Sequence, residues 1–384
     1  MAADRLSLRA LNRATLDRQL LLRRHAMTAQ QAVAHLAGLQ AQAPLAPYVG
    51  LWTRLAGFAH EDLKTILTER SVLRAHLMRN TVHLVTAADF LAFRPLFQPM
   101  IERALAGHFG ARLTGVDLAE LRHAAAALLA ETPLTRAEIG ARLSARWPAH
   151  DPGSLAYAAT HLLQLVQVPP RGLWGSSAQP AWFLAAAWLG AVPAAARPQT
   201  GRDATQELVL RYLAAYGPAT VADIQAWSGL TRLREVTEGL RGRLRAFTGP
   251  DGGELLDVPD APSPGPFAPD EFPVEYSFGR APPRFLPEYD NLLLSYADRS
   301  RVIPHARRVP LPAGNGAATG TLLVDGFWQA DWTITKGKDR AELVIRPFIQ
   351  LGSPARDAIT AEGSRLLEFA APAAAHDVRF VPEP

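Results

Sequence analysis

The sequence repeats one pattern three times: a helix, a short turn, a second helix and then a β segment that carries basic residues or glycine. In the clearest copy, residues 134–147 begin a helix with Thr135 as N-cap and Glu138 three residues later, which fits a capping box. A second helix is predicted over 154–167, and residues 166–177 are predicted to form a two-stranded wing around a Pro-Pro-Arg-Gly turn. Three such units in tandem are winged helices, so the repeat constrains the fold more than the composition does.

The third copy spans residues 207–259. It predicts a helix over 207–215, a second helix capped by Thr220 with Asp223 in the box position, and a hairpin around residues 249–252.

The first copy begins with a helix predicted over residues 17–26. A helix capped by Thr28 is predicted over 28–42, a third helix over 60–71, and a wing over 72–86.

Beyond the repeats, residues 259–283 are dense in proline and are predicted to form a linker or an ordered crossover. Strands are predicted over 285–296, 320–348 and 377–382, with a helix over 357–370. The predicted fold class is therefore α+β, with three winged-helix units and a C-terminal β-rich portion. The predicted divisions are 1–115, 116–200, 201–260 and 261–384.

The composition excludes some chemistry and leaves the partner open. The chain of 384 residues has no cysteine, which excludes disulfides, thiol catalysis and thiolate metal sites. No apolar run is long enough to span a membrane and no secretory signal is present, so we expect a cytoplasmic protein without a membrane partner. Lysine occurs only at positions 64, 336 and 338, with a net charge of +4. Arginine suits phosphate contacts, but a GC-rich genome explains the same bias.

Winged-helix units most often bind DNA, so a non-enzymatic transcription regulator is one hypothesis. The charge pattern weighs against it, because residues 154–167 contain no Arg or Lys to offer to base edges. The arginines of the third copy could follow phosphates, or could form a solvated helix face with Glu235 and Glu238. A tandem-domain interaction protein is a third hypothesis.

Conventional catalytic motifs such as HExxH, GxGxxG and GxSxG are missing from the sequence. His76 and His83 lie seven residues apart, which is not typical of a metal pair, and we predict no metal site. Asp290 and Asp298 flank an apolar run and could form a carboxylate pair, but ion pairs with Arg299 and Arg301 are favoured.

Gln40 and Gln42 lie two residues apart in the stretch LQAQAP. In a helix they would point in opposite directions, whereas in an extended segment they would point to the same side. Pro44 disfavours helical backbone at Ala43, so we expect the helix to end there and the two amides to share one side. Taken alone, the pair favours a structural role over a catalytic one.

Five stretches change that interpretation when they are taken together: QAQAP (40–44), PYVGLWTRL (47–55), RNTVHL (79–84), LPEYDNLLL (286–294) and DRSR (298–301). They resemble the AlkZ family of winged-helix DNA glycosylases over nearly the whole chain. The resemblance implies a C-shaped DNA-binding channel and a catalytic Gln-x-Gln motif, here Gln40 and Gln42. It also implies excision of bulky alkylated purines, unhooking of interstrand crosslinks, and self-resistance in producers of DNA-alkylating compounds.

On this hypothesis the partner is double-stranded DNA carrying cationic alkylated purines such as N7-alkylguanine, and the protein is a monomer that needs no cofactor. Since no lysine lies within twenty residues of the motif, we expect a monofunctional enzyme without a lyase step. The residues predicted to contact DNA are Arg79, Thr81, His83, Arg299, Arg301, Lys336 and Lys338.

Overall fold

The computed structural model describes residues 5–190, 201–262, 281–304, 307, 309 and 319–382. The predicted proline-rich crossover lies mostly outside these residues. No helix within the described ranges is both long and apolar enough to cross a membrane.

The region of the first copy alternates short helices and strands. Its elements are α1 (Leu8–Arg18), α2 (Ala29–His35), β1 (Leu39–Gln40), α3 (Ala46–Trp52), α4 (His60–Thr68), β2 (Val72–His76), β3 (Val82–Thr86) and α5 (Ala87–Phe109). The predicted wing and the helix cap at Thr28 are confirmed, and Gln31 completes a capping box with Thr28. The helix predicted over 17–26 is wrong: α1 ends at Arg18, because Leu20 has a φ of 58° and the chain turns inward there.

The helix predicted over 28–42 also ends early, at His35. Ala37 and Gly38 both have positive φ, at 52° and 98°, which is incompatible with a continuing helix. A Cβ on Gly38 would lie 2.7 Å from the Val85 side chain, so glycine is required at this turn. The left-handed turn, rather than Pro44, therefore releases Gln40 from the helix.

The second copy contains α6 (Leu118–Glu131), β4 (Leu134–Thr135), α7 (Arg136–Ser144), α8 (Pro152–Leu162), β5 (Leu165–Val168), β6 (Ala181–Leu184) and α9 (Ala185–Leu189). The capping box of Thr135 and Glu138 is confirmed. The second strand of the wing was placed too early by the sequence. It begins at Ala181, after a long connection that carries Arg171 and Trp174.

The third copy contains α10 (Arg202–Tyr216), α11 (Val221–Ser228), α12 (Leu233–Gly239), β7 (Arg245–Thr248) and β8 (Glu254–Asp257). The Thr220 capping box and the hairpin are confirmed, and Gly229 ends α11 with a left-handed C-cap.

The C-terminal portion contains β9 (Arg284–Leu286), β10 (Gly320–Val324), β11 (Phe327–Lys336), β12 (Arg340–Pro347), α13 (Ser353–Ala370) and β13 (Ala375–Phe380). Only the start of the strand predicted over 285–296 is a strand. Tyr289 has a φ of 61°, and Asp290 caps a short 3-10 turn over Asn291–Leu293.

Two larger sheets hold these elements together. One has the order β1-β3-β2-β5-β6-β4, and the other has the order β13-β12-β11-β10-β9. In the first sheet, β2 pairs with β5, with Arg74 opposite Gln167, so strands from the first two copies form one continuous sheet. The division at residues 115 and 116 stays a prediction, and the sheet extends across it.

Helix α5 was not predicted, because Pro95 and Pro99 interrupt its helical pattern. It begins at the Thr86 cap and buries Phe90, Phe93 and other apolar residues in a core shared with α10 and α11. The helix therefore joins the first copy to the third.

A buried ion pair fixes α1 against the hairpin of the third copy. Arg18 donates two hydrogen bonds to Asp257, at 2.6 and 2.9 Å, and both side chains are almost completely buried. Arg18 also donates to the carbonyl oxygens of Leu213 and Pro262, so the buried charges are extensively hydrogen-bonded.

We expect Arg18→Met to lower the free energy of unfolding by about 3–5 kcal/mol, because Asp257 would remain buried without its main cation. Urea unfolding at pH 7 measures this loss. The double variant Arg18→Met/Asp257→Leu should recover most of it. Arg122→Met, which removes an exposed pair with Glu102 at 2.7 Å, is the control and should cost about 1 kcal/mol or less. Equal losses in the buried and exposed variants would contradict the prediction.

Candidate active site

Gln40 lies on the edge strand β1, where it pairs with His83 of β3, and only 7% of it is exposed. The next residue continues the pairing, since the Ala41 N–H donates to the Val82 carbonyl oxygen at 2.8 Å. Arg74 of β2 donates to the Ala41 carbonyl oxygen, also at 2.8 Å. The backbone of the motif is therefore held on both sides by the first sheet.

Arg79 connects the Gln40 side chain to two distant parts of the chain. Its Nη2 donates to Gln40 Oε1 at 2.7 Å and to Asn291 Oδ1 at 2.9 Å, and its Nη1 donates to the Trp227 carbonyl oxygen. Asn291 in turn donates to the Gly38 carbonyl oxygen at 3.3 Å. Burial lowers the pKa of Arg79 to about 10, so the guanidinium stays charged at neutral pH. The predicted DNA contact of Arg79 stays a prediction, but this guanidinium is already bound to three protein acceptors.

Gln42 has a different environment. Its Oε1 accepts a hydrogen bond from the Val82 N–H at 3.3 Å, and its side chain is partly exposed. It lines a cleft of about 720 Å³ together with Asn80, Thr81 and residues of the second copy, whereas Gln40 is not among the lining residues. The structure therefore places Gln42 at an open site and Gln40 behind it, rather than both amides on one side.

Aromatic side chains form much of the wall of this cleft. The rings of Tyr157 and His161 stack with centroids 3.9 Å apart, His76 lies 5.1 Å from His161, and Trp182 lies 4.9 Å from His76. The Arg136 guanidinium lies over the rings of both Tyr157 and Trp182, at 5.2 and 5.6 Å. Phe109 stacks on Tyr157 with centroids 4.0 Å apart, and His161 and Trp182 are at most 2% exposed, so these side chains pack mainly against one another.

The cleft is neutral to basic. Among the residues that the structure describes, its lining includes Arg74, Arg136 and Arg171 and no carboxylate. Burial lowers the pKa of His161 to about 4 and that of His76 well below its usual value, with the neighbouring cations adding to the effect. Both imidazoles are therefore neutral at pH 7.

Of the other predicted DNA contacts in the first copy, Thr81 lines the cleft and its hydroxyl donates to the Met78 carbonyl oxygen at 3.2 Å. His83 is completely buried, with Nδ1 3.0 Å from the Thr81 carbonyl oxygen. Its DNA contact stays a prediction that the burial does not favour.

The remaining predicted contacts lie in the C-terminal portion. Arg301 is buried, donates to the Pro218 carbonyl oxygen at 2.8 Å and lies 3.7 Å from Asp223. Arg299 is partly exposed and close enough to contribute to the lowered pKa of Arg79. Lys336 donates to the Ala370 carbonyl oxygen at 2.7 Å, and Lys338 is exposed in the turn between β11 and β12.

The expected pairing of the two aspartates with Arg299 and Arg301 is wrong. Asp290 instead binds Arg54 through two hydrogen bonds, at 2.9 and 3.0 Å. Asp298 caps its own turn by accepting from the Ser300 N–H at 3.0 Å. The reason is position. Arg54 follows α3 and lies opposite the turn that carries Asp290. Asn291, which follows Asp290 in the chain, is a partner of Arg79.

The sequence did not reveal the aromatic cleft. The lack of Arg and Lys in residues 154–167 weighs against base contacts and gives no indication of a cleft. The available signal was the i, i+4 spacing of Tyr157 and His161, which places both rings on one helix face. The sequence could not predict that Trp182 and Arg136 lie beside this helix face, because the pairing of β4 with β6 brings them there.

This chain is similar to known proteins along most of its length. The family model described as DNA glycosylase AlkZ-like matches residues 33–369. A Streptomyces sahachiroi protein named interstrand DNA cross-link repair glycosylase is 26% identical over an alignment of 348 residues, which covers 87% of this chain and 88% of that protein. The solved structure of Streptomyces sahachiroi DNA glycosylase AlkZ has a TM-score of 0.71 at 21% identity, covering 98% of this chain and 100% of that one. This last likeness confirms the mixed α+β fold.

The buried His83 provides a pH test of the site. Burial lowers its pKa to about 3 in the folded protein, with Arg79 adding to the effect, whereas an unfolded histidine titrates near 6.5. Below pH 6.5 the unfolded chain binds more protons, so this residue contributes stability at pH 7 that is lost as the pH falls toward 3.

We expect His83→Gln to flatten the pH dependence of the free energy of unfolding between pH 6 and 4, by up to about 1.4 kcal/mol per pH unit. Urea unfolding of both proteins across this range measures the difference. The exposed His123→Gln variant is the control and should keep the wild-type slope. An unchanged slope in His83→Gln would contradict the prediction, because it would show that His83 binds its proton over the same pH range in the folded and the unfolded protein.

Proposed function

This chain belongs to the family of AlkZ-like DNA glycosylases, and on that basis we propose that it hydrolyses the N-glycosidic bond of cationic alkylated purines in double-stranded DNA. The proposed substrates are N7-alkylguanine, bulky adducts and interstrand crosslinks. The sequence at positions 40–42 fits the Gln-x-Gln branch of the family. The proposed roles are DNA repair and self-resistance to a genotoxic natural product.

The observation that carries this proposal is the position of Gln42 in the lining of the cleft, directly after a backbone segment that the first sheet and Arg74 hold by hydrogen bonds. A hydrolytic centre needs acceptors that are fixed before the substrate arrives. The Gln42 carbonyl oxygen is oriented by a neutral backbone N–H, so it keeps its dipole without carrying a charge.

The proposed reaction uses the charge of the substrate. An N7-alkylated guanine is already cationic, so the base leaves without protonation by a general acid. Gln42 orients a water molecule toward the anomeric carbon, and its carbonyl dipole stabilises the positive charge that develops on the sugar. Ordinary nucleotides have a neutral base, which is a poor leaving group, and a neutral catalyst leaves them intact.

Gln40 has a supporting role in this proposal. Its side-chain oxygen accepts a hydrogen bond from the Arg79 guanidinium at 2.7 Å. The positive charge on Arg79 would oppose any stabilisation of a cationic sugar by Gln40. Gln40 and Arg79 therefore fix the strand that precedes Gln42, while Gln42 contacts the reacting atoms.

The proposed arrangement around this centre is three winged-helix units that form a C-shaped channel for DNA. The protein is proposed to act as a monomer and to be monofunctional, because none of the three lysines lines the cleft and an amide forms no Schiff base.

We expect Gln42→Ala to lower excision of N7-methylguanine from duplex DNA by on the order of 10²-fold, the loss typical of removing one preorganised dipole. Single-turnover reactions followed by alkaline cleavage of abasic sites measure the rate. The exposed Gln30→Ala variant on α2 is the control and should keep the wild-type rate. Wild-type protein that binds DNA but excises no N7-alkylated base would support the transcription-regulator hypothesis instead.

Arg79→Met separates a positioning role from a DNA contact. If Arg79 only positions Gln40, the single-turnover rate falls while the slope of log affinity against log salt stays constant. If Arg79 binds a phosphate, that slope falls by about 0.9 and DNA binding weakens. We expect the first result, because the guanidinium already has three protein acceptors. Lys338→Met, at an exposed turn, is the comparison in which the second result is expected.

A further inference from the structure

Arg136, the first residue of helix α7, lies in the lining of the cleft that also contains Gln42. Within the described ranges its guanidinium makes no hydrogen bond and pairs with no carboxylate, and its Nε is buried without a partner. The buried guanidinium groups of Arg18 and Arg54, by contrast, each bind an aspartate. Because a cation that is partly removed from water is stabilised by pairing, the charge of Arg136 favours an anionic ligand in the cleft.

Two aromatic side chains hold this guanidinium in place. Its central carbon lies 5.2 Å from the ring centroid of Tyr157 and 5.6 Å from that of Trp182. These contacts use none of its five N–H donors, because no hydrogen bond joins Arg136 to either residue in the described chain. A guanidinium that is positioned in this way presents a planar fork of donors, which is suited to binding a phosphate through two parallel hydrogen bonds.

The neighbouring side chains add positive charge to the same cleft. Arg74 and Arg171 lie in its lining, and the charge of Arg171 contributes to the lowered pKa of Arg74. Both donate to backbone carbonyl oxygens, at 2.8 and 3.0 Å, and neither forms an ion pair among the described residues. The cleft therefore has an excess of cations, which attracts anions from solution.

We propose that Arg136 binds one phosphate of the DNA backbone beside the target nucleotide, and that this contact places the damaged strand against Gln42. The inference rests on the proposed glycosylase function, which supplies DNA as the anion. Arg136 and Gln42 line one cleft of about 720 Å³, so a phosphate bound to the guanidinium keeps its strand close to the amide. Since successive phosphates of a strand are about 3.4 Å apart along the helix axis, the phosphate lies within about two nucleotides of the target.

A bound phosphate also removes an electrostatic obstacle to the proposed reaction. The arginines of the cleft repel a cationic purine and the positive charge that develops on its sugar. A phosphate on Arg136 offsets one of these charges before the purine reaches Gln42. The cleft is therefore suited to a cationic base that is joined to an anionic backbone, and a nucleoside without phosphates should bind poorly.

The test measures binding to duplexes that cannot react, so that it is independent of excision. The duplex carries N7-methylated 2′-fluoroguanosine, which resists loss of its base. A methylphosphonate, which has no charge, replaces in turn each of the two nearest phosphates on either side of that nucleotide. We expect one position at which the replacement weakens binding by wild-type protein roughly tenfold, as loss of one charge-assisted contact would give.

Arg136→Met should bind the unmodified backbone roughly tenfold more weakly than wild type and should not respond to the methylphosphonate at that position. Its slope of log affinity against log salt should fall by about 0.9. Arg136→Lys keeps the charge without the planar fork, so it should keep a smaller effect at the same position. Arg142→Met removes an exposed arginine from the same helix, outside the cleft lining, and should respond to the methylphosphonate as wild type does. Thermal unfolding checks that each variant is folded.

The proposal would be overturned if no position were sensitive in wild-type protein, or if Arg136→Met kept the wild-type sensitivity. It would also fail if inorganic phosphate stabilised wild-type protein but not Arg136→Met against heat while no methylphosphonate weakened binding, because the site would then hold a free anion. An effect at one position that is lost in Arg136→Met, in a protein that excises no base from reactive duplexes, would refute the glycosylase reaction and support the phosphate contact.

Discussion

The buried ion pair between Arg54 and Asp290 is the contact on which the geometry of the candidate site depends. Both side chains are at most 2% exposed, and two hydrogen bonds of 2.9 and 3.0 Å join them. Burying two charges is unfavourable unless their remaining hydrogen-bonding groups are also paired. Here Arg54 donates to the carbonyl oxygens of Gln19 and Gly50, and Asp290 accepts from the Leu292 N–H. The pair therefore holds a turn of the C-terminal portion against α3.

The position of Asn291 follows from that pair, and the position of Arg79 follows from Asn291. The Arg79 guanidinium lies between Gln40, Asn291 and the end of α11, so three distant parts of the chain determine one side chain. Gly229 permits this approach, because a Cβ there would lie 3.2 Å from the Arg79 Cα. The same glycine ends α11 in the left-handed conformation. A single residue thus satisfies a helix cap and a close backbone contact, and any side chain would disturb both.

Local signals predicted local structure well in this sequence. Helix caps at Thr28, Thr135 and Thr220 were found because the cap and the residues it contacts lie within one turn of the chain. Nonlocal pairing was not found: nothing in residues 72–76 indicates that β2 pairs with β5 of the next copy. The turn at Tyr289 was missed because its φ of 61° lies in the left-handed region, which tyrosine rarely adopts. The candidate site divides in the same way, since the Gln-x-Gln motif is contiguous while the aromatic wall is assembled from α8, β2 and β6.

The neutrality of the proposed catalyst follows from its surroundings. A carboxylate in place of Gln42 would lie in a cleft lined by three arginines, and those cations would stabilise its charge and reduce its effect on a distant cationic sugar. Arg74, whose pKa burial lowers to about 9, already donates to the carbonyl oxygen between the two glutamines. An amide in this position is not neutralised by an arginine and does not titrate, so its dipole is constant across the physiological pH range. A basic cleft and an uncharged motif can therefore occur together without an ion pair between the arginines and the proposed catalytic group.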